Sequence, residues 1–226
     1  MVLVVPGLHA EEALWERGLL RVAGVDEVGL GCLCGPVVVA AVVVPVHCAM
    51  LPGVRDSKTL TAAARGRLYA DIRRQALAVK VAGSSVEEVD RLNVLRATHT
   101  AMARALSHLG GYDHALIDGR PVRSLDLGPH TAIVDGDATS YAIACASIVA
   151  KVVRDRLMRL LARRYPGYGW ERNAGYGTRE HLDALRSLGV TPLHRRSFAP
   201  VRAALGETFA QATPESPWEA VRVTIP

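Results

Sequence analysis

Four acidic residues stand where they could hold a metal ion. Asp26 and Glu27 are adjacent in VAGVDEVG, Asp118 ends HALID, and Asp137 lies in VDGDA. Apolar residues precede the first three, and like charges crowded in such surroundings are costly unless a cation neutralises them. Hard oxygen ligands select Mg²⁺ or Mn²⁺. Two such ions ~3.5–4 Å apart can clamp the attacking and leaving oxygens of a phosphoryl displacement. The pattern therefore suggests metal-assisted phosphoryl chemistry.

A plainer interpretation of each acid stays open. Acidic side chains at strand ends are commonly solvated, capping or turn residues. Neighbours on an ideal strand also point to opposite faces, so Asp26 and Glu27 would need help to face one ion. A β-bulge, or the start of the Gly-rich turn that follows, would supply it.

Strands that alternate with helices must position these acids. We expect strands at residues 21–26, 37–46, 79–82, 114–117 and 132–134, and helices at 10–17, 60–77, 94–109, 140–164 and 178–188. Thr61 is the expected cap of the second helix, and Pro166 ends the long one. The first two strands are joined by a short linker and should form an antiparallel hairpin. The pattern predicts an α/β fold, a mixed β-sheet flanked by helices.

Composition narrows the function only partly. The chain has 226 residues, a formal net charge of +5 and a sequence pI near 9.3, a balance that suits nucleic-acid binding but also many other proteins. No apolar run reaches the ~20 residues of a membrane span, and the N-terminus makes a poor signal peptide. We expect a cytoplasmic protein. The cysteines lack the spacing of a zinc site and are expected to be idle thiols: Cys32, Cys34, Cys48 and Cys145.

Eight ordered blocks resemble one family. They are AGVDEVGLGCLCGPVVVAAVVV, DSKTL, NVLRATHTAMARAL, LIDG, GDATSYAIACASIVAKVVRDRLM, YPGYGW, NAGYGTREH and HRRSFAPV, spread from about residue 10 to residue 202. Together they are similar to bacterial ribonuclease HII, of the type 2 ribonuclease H family. The resemblance implies a ribonuclease H-like fold with a helical C-terminal part from about residue 165. It also implies one catalytic domain over residues 1–212, followed by a tail of unknown role at 213–226.

The resemblance also implies a function. Asp26, Glu27, Asp118 and Asp137 correspond to the family's catalytic, metal-binding carboxylates, with Mn²⁺ or Mg²⁺ as the cofactor. A metal-activated water then attacks the phosphate on the 5′ side of a ribonucleotide and leaves a 3′-hydroxyl and a 5′-phosphate. The implied substrates are RNA–DNA hybrids and duplex DNA containing single ribonucleotides, and the implied enzyme is a monomer.

Substrate-binding residues follow from the same blocks. The family's Gly-rich loop senses the ribose 2′-hydroxyl through backbone groups, which places Gly29, Leu30 and Gly31 in that role. The 2′-hydroxyl is the group that distinguishes RNA from DNA. Tyr176 matches a tyrosine that packs on the neighbouring sugar. Lys58 either touches phosphate or is a solvated loop lysine.

Four positions depart from the family pattern. Leu30 replaces an Arg, Asp135 a Lys, Val153 a Thr and Ala174 a Lys, so that three of the changes remove positive charge. The carboxylates are unaffected. The departures therefore bear on affinity and on recognition of the RNA–DNA junction rather than on catalysis.

Competing functions are another nuclease class on the same fold and a non-catalytic nucleic-acid-binding protein. The GDATSYAIACASIVAKVVRD and NAGYGTREH blocks disfavour the first, and the intact carboxylates disfavour the second. A type 3 relative would carry an N-terminal domain, for which Asp26 lies too near the start.

Other polar residues are expected to be structural or on the surface. Asp155 is either a support for the site or one half of an exposed pair with Lys151. His181, His194 and Arg195 are not expected to be catalytic. Tyr168 and Trp170 are expected to pack under a loop.

Overall fold

The structure is a computed structural model that describes residues 5–121 and 127–206. Its centre is a five-stranded sheet in the order β3-β2-β1-β4-β5. The strands are β1 (Val22–Val28), β2 (Val37–Val43), β3 (Ala78–Ser84), β4 (His114–Asp118) and β5 (His130–Ile133). The helices are α1 (His9–Trp15), α2 (Ala62–Gln75), α3 (Val86–Leu92), α4 (Val94–Ser107), α5 (Gly136–Thr139), α6 (Tyr141–Arg164), α7 (Trp170–Asn173), α8 (Arg179–Leu188) and α9 (Ala199–Gly206).

The mixed sheet predicted from the sequence is confirmed. Strands β1 and β2 form the expected antiparallel hairpin, and β3 adds to β2 in antiparallel orientation. Strands β4 and β5 continue the sheet in parallel on the other side of β1. Strand β2 ends at Val43 rather than at the expected residue 46, because Pro45 has no N–H to continue the ladder.

Helices cover both faces of the sheet, so its central strands are buried on both sides. Alternate residues of β2 enter two different cores: Ala40 and Val42 face the layer of α2 and α6, whereas Val39 and Ala41 face α4. This alternation is the two-residue period of a strand. It explains why β2 is a continuous apolar run instead of an alternating one.

Helix α6 lies very close to β1, as its small residues suggested. A Cβ atom placed on Gly24 would overlap the backbone of Ala142, so only glycine fits there. Ser140 caps the helix by accepting from the N–H of Ile143 at 3.3 Å, and the helix ends at Arg164, shortly before Pro166. The close approach holds α6 directly over the strands that carry the acidic residues.

Four short helices were not predicted, namely α3, α5, α7 and α9. The clearest is α3, which starts with a capping box in which Ser85 and Glu88 satisfy each other's backbone N–H groups. Asn93 then adopts a positive φ of 66° and caps α4, so one residue ends the first helix and begins the next.

The C-terminal part is helical, as expected. The second half of α6 packs with α7 and α8 around Trp170, Met158 and Leu193. The tail expected at residues 213–226, and the domain boundary expected at 212, lie outside the described residues. None of the helices in the described part of the chain has both the length and the apolar character needed to span a bilayer.

Candidate active site

Strand register brings two of the acidic residues side by side. Val25 on β1 pairs with Ile117 on the parallel strand β4, so the next residues, Asp26 and Asp118, are neighbours across the two strands. Asp26 is buried, with 5% of its surface exposed. Asp118 accepts a hydrogen bond from the N–H of Gly136 at 2.7 Å. The hydrogen bond fixes the start of α5 against the end of β4.

Asp137 reaches the same place from α5. It lies in the first turn of that helix and is buried. Its neighbour Gly136 must be small, because a Cβ there would stand 3.2 Å from Oδ1 of Asp118 and closer still to Ile143. The loop after β5 therefore delivers a third carboxylate to the ends of β1 and β4.

The four carboxylates share one electrostatic environment. Burial, then the charges of Glu27 and Asp118, raise the pKa of Asp26 well above its usual value, although a hydrogen bond from Ser147 opposes the shift. Burial and the charge of Asp118 raise the pKa of Glu27 to about 7. Burial also raises the pKa of Asp137, against the opposing charge of Lys58. The group is therefore short of positive charge.

A divalent cation fits this deficit. Oε2 of Glu27 is buried and has no hydrogen-bond partner among the described residues. An orphaned carboxylate oxygen beside two aspartates is a suitable hard ligand for Mg²⁺ or Mn²⁺. The sequence predicted this set, and the structure brings all four predicted carboxylates together.

Of the two ways in which Asp26 and Glu27 could face one ion, a β-bulge is not present in the β1–β2 ladder. Pairing proceeds evenly from Asp26 opposite Ala40 to Glu27 opposite Val39, and β1 continues to Val28. The Oδ1 atom of Asp26 accepts from the N–H of Glu27, the next residue, at 2.7 Å. The charge of Asp118 raises the pKa of both acids, so both lie near it although β1 contains no inserted residue.

Lys58 stands beside the acids rather than free in solvent. Its Nζ lies 3.4 Å from Oδ2 of Asp137, while 77% of its side chain remains exposed. Asp56 holds the turn by accepting from the Lys58 N–H at 2.9 Å. The ammonium group can therefore meet an incoming phosphate while it remains next to the acidic cluster.

The Gly-rich loop differs from glycine to glycine. Gly29 is buried at a φ of 98°, and a Cβ there would collide with the guanidinium of Arg154. Gly31 is exposed, and a Cβ there would meet nothing within 4 Å. Leu30 is half-buried between them. The backbone at Gly31 is therefore open to a ligand, whereas Gly29 is required because Arg154 packs directly against it.

Tyr176 lies next to this loop. It forms an isolated β-bridge with Cys32, and 41% of its surface is exposed. Nζ of Lys151 lies 5.9 Å from the centre of its ring. Lys151 in turn pairs with Asp155 at 2.7 Å, and Arg65 lies 3.6 Å from the same carboxylate. The exposed-pair interpretation of Asp155 is therefore wrong, because these three side chains are largely buried beside Tyr176.

Comparison with known proteins identifies the family. The model of the family described as Ribonuclease HII matches residues 23–201. The ribonuclease HII of Thermosynechococcus vestitus is 60% identical over 188 residues, which cover 83% of this chain and 88% of that protein. This chain belongs to the ribonuclease HII family. The ribonuclease HII of Ruegeria pomeroyi is 54% identical over 201 residues, 88% of this chain and 85% of that protein.

Solved structures show the same fold. The ribonuclease H2 of Pyrococcus horikoshii superposes with a TM-score of 0.66 at 24% identity, covering 83% of this chain and 98% of that one. The ribonuclease H-like fold predicted from the sequence is confirmed. As a ribonuclease HII, the protein is a metal-dependent endoribonuclease, a phosphodiester hydrolase of the ribonuclease H type.

Several residues of this ribonuclease HII were missed by sequence reasoning. The hydroxyls of Ser147 on α6 and Ser57 form a hydrogen bond at 2.9 Å, and both are buried near Asp26. Arg65 donates to the carbonyls of Ser57 and Leu60, at 2.9 and 2.5 Å, and so holds the turn that carries Lys58. Ser57 and Ser147 lie within two of the family blocks, but nothing local marks their contact or that of Arg65, because long-range partners leave no local pattern.

A buried cluster of Cys34, His181 and His194 has ligand atoms within 4.8 Å of one another. Nδ1 of His181 lies 2.9 Å from the Tyr176 carbonyl and must donate to it, so Nε2 accepts. The N–H of Thr191 donates to Nδ1 of His194 at 3.0 Å, so His194 carries its proton on Nε2, 3.0 Å from Nε2 of His181. A metal on that atom would force a proton onto Nδ1, against the Thr191 N–H.

These histidines are structural, as expected. Burial lowers the pKa of His181, and burial with the neighbouring His181 lowers the pKa of His194 to about 3. Both rings are held in place by buried hydrogen bonds. Tyr168 and Trp170 stack on each other with ring centres 5.1 Å apart and are buried, also as expected. All four cysteines are free, although Cys48 is only half-buried.

Proposed function

We propose that this enzyme cleaves the RNA strand of RNA–DNA hybrids and cuts on the 5′ side of ribonucleotides embedded in duplex DNA. The observation that carries the proposal is the convergence of Asp26, Glu27, Asp118 and Asp137 around the orphaned Oε2 of Glu27. Family membership supplies the reaction class. The products would be a 3′-hydroxyl and a 5′-phosphate.

The four carboxylates would hold one or two divalent ions, Mn²⁺ or Mg²⁺. When bound, such ions lower the pKa of a water molecule and stabilise charge on the phosphate oxygens. Asp26 and Asp118 would hold the ion from fixed positions, since they follow paired residues on adjacent strands. Glu27 and Asp137 would complete the set, and the pKa of Glu27, raised to about 7, implies that cation binding near neutral pH would release a proton from it.

Substrate recognition is proposed for the residues around this site. Lys58 would move from Asp137 towards a phosphate of the substrate, because its side chain is mostly exposed. The backbone at Gly31 offers the open approach that a ribose 2′-hydroxyl needs. Leu30 flanks it, and Gly29 sets its backbone from the buried side. Tyr176 would pack its half-exposed ring on the adjoining sugar.

The test is cleavage of three end-labelled duplexes: all-DNA, DNA with one embedded ribonucleotide, and a long RNA–DNA hybrid. Each is incubated with Mg²⁺ or Mn²⁺. We expect no cutting of the all-DNA duplex, a single cut 5′ of the embedded ribonucleotide, and many cuts in the hybrid. Ligation of the recovered ends checks for the 3′-hydroxyl and the 5′-phosphate. Cutting of the all-DNA duplex, or metal-independent cutting, would contradict the proposal.

A further inference from the structure

Two buried arginines underlie the Gly-rich loop. Arg154 on α6 and Arg195, which follows α8, are both 0% exposed. In the described ranges, neither forms an ion pair with a carboxylate; every hydrogen bond that their side chains make goes to a backbone carbonyl. Burying an unpaired cation is costly. The hydrogen bonds to backbone carbonyls must offset that cost.

Arg154 joins the loop to the segment that carries Tyr176. Its Nε donates to the carbonyl of Pro36 at 3.0 Å, and its Nη2 donates to that of Cys34 at 3.1 Å. Its Nη1 donates at 2.7 Å to the carbonyl of Ala174, two residues before Tyr176. One planar guanidinium thus fixes the distance between two pieces of chain that are remote in sequence.

Arg195 ties the loop to itself. Its Nη1 donates to the carbonyl of Leu30 at 2.9 Å, while its Nε and Nη2 both donate to the carbonyl of Gly35, at 3.1 and 2.9 Å. Its backbone N–H donates to the carbonyl of Leu33 at 2.8 Å. The beginning and the end of the loop are therefore held to a single side chain.

The loop is shaped to sit on these groups. Gly29 has no room for a Cβ above Arg154, and a Cβ on Gly35 would collide with Met158 and lie 3.6 Å from Nη2 of Arg154. Gly31, by contrast, faces open space. The buried side of the loop is complementary to the arginines, and its open side lies where a ligand can approach.

We propose that Arg154 and Arg195 are positioning residues that hold residues 29–31 at a fixed distance from Tyr176, so that the ribose and its 5′ phosphate align with the carboxylates. This inference rests on the proposed function. A lysine cannot replace them, since a single ammonium group lacks the planar set of five donors that reaches several carbonyls at once. The charge alone is not what the loop requires.

The test uses Arg154→Lys and Arg195→Lys in the full chain, with Arg163→Lys as the matched control. Arg163 lies on the same helix as Arg154 and is exposed. Steady-state kinetics are measured with Mn²⁺ on the duplex with one embedded ribonucleotide and on the long hybrid, well below the unfolding temperature of each variant. Thermal unfolding and Mn²⁺ binding are measured in parallel.

We expect kcat on the embedded ribonucleotide to fall about tenfold to a hundredfold, because small misplacements of a reacting group cost that much. KM should stay within about threefold and Mn²⁺ affinity should be unchanged, because neither arginine touches a carboxylate of the site. The kcat on the long hybrid should fall less, since the enzyme can bind that substrate at many equivalent positions along the RNA strand. Arg163→Lys should match the wild type.

Other outcomes separate the two claims. If the wild type does not depend on a ribonucleotide for cleavage, the proposed function fails. If wild-type cleavage does require a ribonucleotide, and folded Arg154→Lys and Arg195→Lys have the wild-type kcat on both substrates, only the positioning role is overturned. An equal loss on both substrates also overturns it. Failure of both variants to fold would show that the arginines serve the fold rather than the alignment.

Discussion

At the scale of the residue, the acidic cluster lacks enough positive charge to balance its four carboxylates. Burial and neighbouring charge raise the pKa of Asp26, Glu27 and Asp137, and Lys58 only partly offsets this. Geometry from the strands, rather than attraction between the side chains, keeps these groups together. A divalent ion bound as proposed would offset the energetic cost of this arrangement.

Stability should therefore depend on pH and metal together. The pKa of Glu27 is raised from 4.5 to about 7, so the folded protein holds this proton more tightly than the unfolded chain does. Between those two values, the stability of the metal-free protein should fall as pH rises. Mn²⁺ should raise the melting temperature more at about pH 8 than at about pH 5, because it binds the deprotonated form. Two results would contradict this prediction. One is an Mn²⁺ effect on the melting temperature that does not change with pH. The other is a plot of stability against pH with the same slope for the wild type and Glu27→Gln.

Leu30 offers a second prediction at this scale. Its carbonyl is held by Arg195, so the backbone is fixed while the side chain is free to vary. An arginine there would add a charge-assisted hydrogen bond to phosphate, worth roughly tenfold to a hundredfold in binding. Leu30→Arg should raise kcat/KM on a single embedded ribonucleotide more than on a long hybrid, with Leu30→Met as the control. An unchanged or lower value on the embedded ribonucleotide would show that the loop is built around leucine.

At the scale of the element, α6 links the sheet, the site and the loop. It presents Ser147 towards Asp26, Lys151 towards Tyr176 and Arg154 beneath the Gly-rich loop. These residues recur about one turn apart, so they share a face of the helix. The position of α6 on β1 therefore controls the alignment of the whole site.

Gly24 sets that position. Gly24→Ala would place a Cβ against the backbone of Ala142, which cannot rotate away as a side chain would. We expect destabilisation of about 1–3 kcal/mol or more, measured by urea unfolding. Gly66→Ala is the control: it lies within α2 with nothing within 4 Å, so it should stabilise by up to about 1 kcal/mol. Equal effects of the two substitutions would refute the close-packing argument.

The elements show what the sequence could and could not predict. Long periodic helices and apolar strands were found, with Thr61 confirmed as a cap. The acidic set was found because each acid follows a buried strand or precedes a long helix. The roles of Arg154 and Arg195 were missed, because a buried arginine that binds distant carbonyls looks like any basic residue on a helix or loop. The short helix α3 was missed because the sequence marks it by a local capping box and not by a repeating pattern of apolar residues.

At the scale of the whole molecule, the net charge of +5 favours a polyanionic substrate despite the acidic site. Contacts from Lys and Arg release counterions from nucleic acid, so binding should weaken steeply with salt. Lys58→Ala should lower the slope of log Kd against log salt by about one, because it would remove the one phosphate contact proposed for that residue. Lys80→Ala, on the edge strand β3, should leave the slope unchanged. Identical slopes for Lys58→Ala and wild type would remove Lys58 from the interface.

The most direct test of the central claim is cleavage by Asp26→Asn and Asp118→Asn with saturating Mn²⁺, on the duplex with one embedded ribonucleotide. Asp183→Asn, an exposed residue of α8 paired with Arg179 and Arg186, is the matched control. We expect both site variants to lose roughly a thousandfold or more in rate, the scale on which removing transition-state charge stabilisation acts. Their metal-free melting temperatures should stay equal or rise, because like charge is removed, and the stabilisation by Mn²⁺ should disappear. Near wild-type turnover by either variant would show that these carboxylates do not hold the catalytic metal.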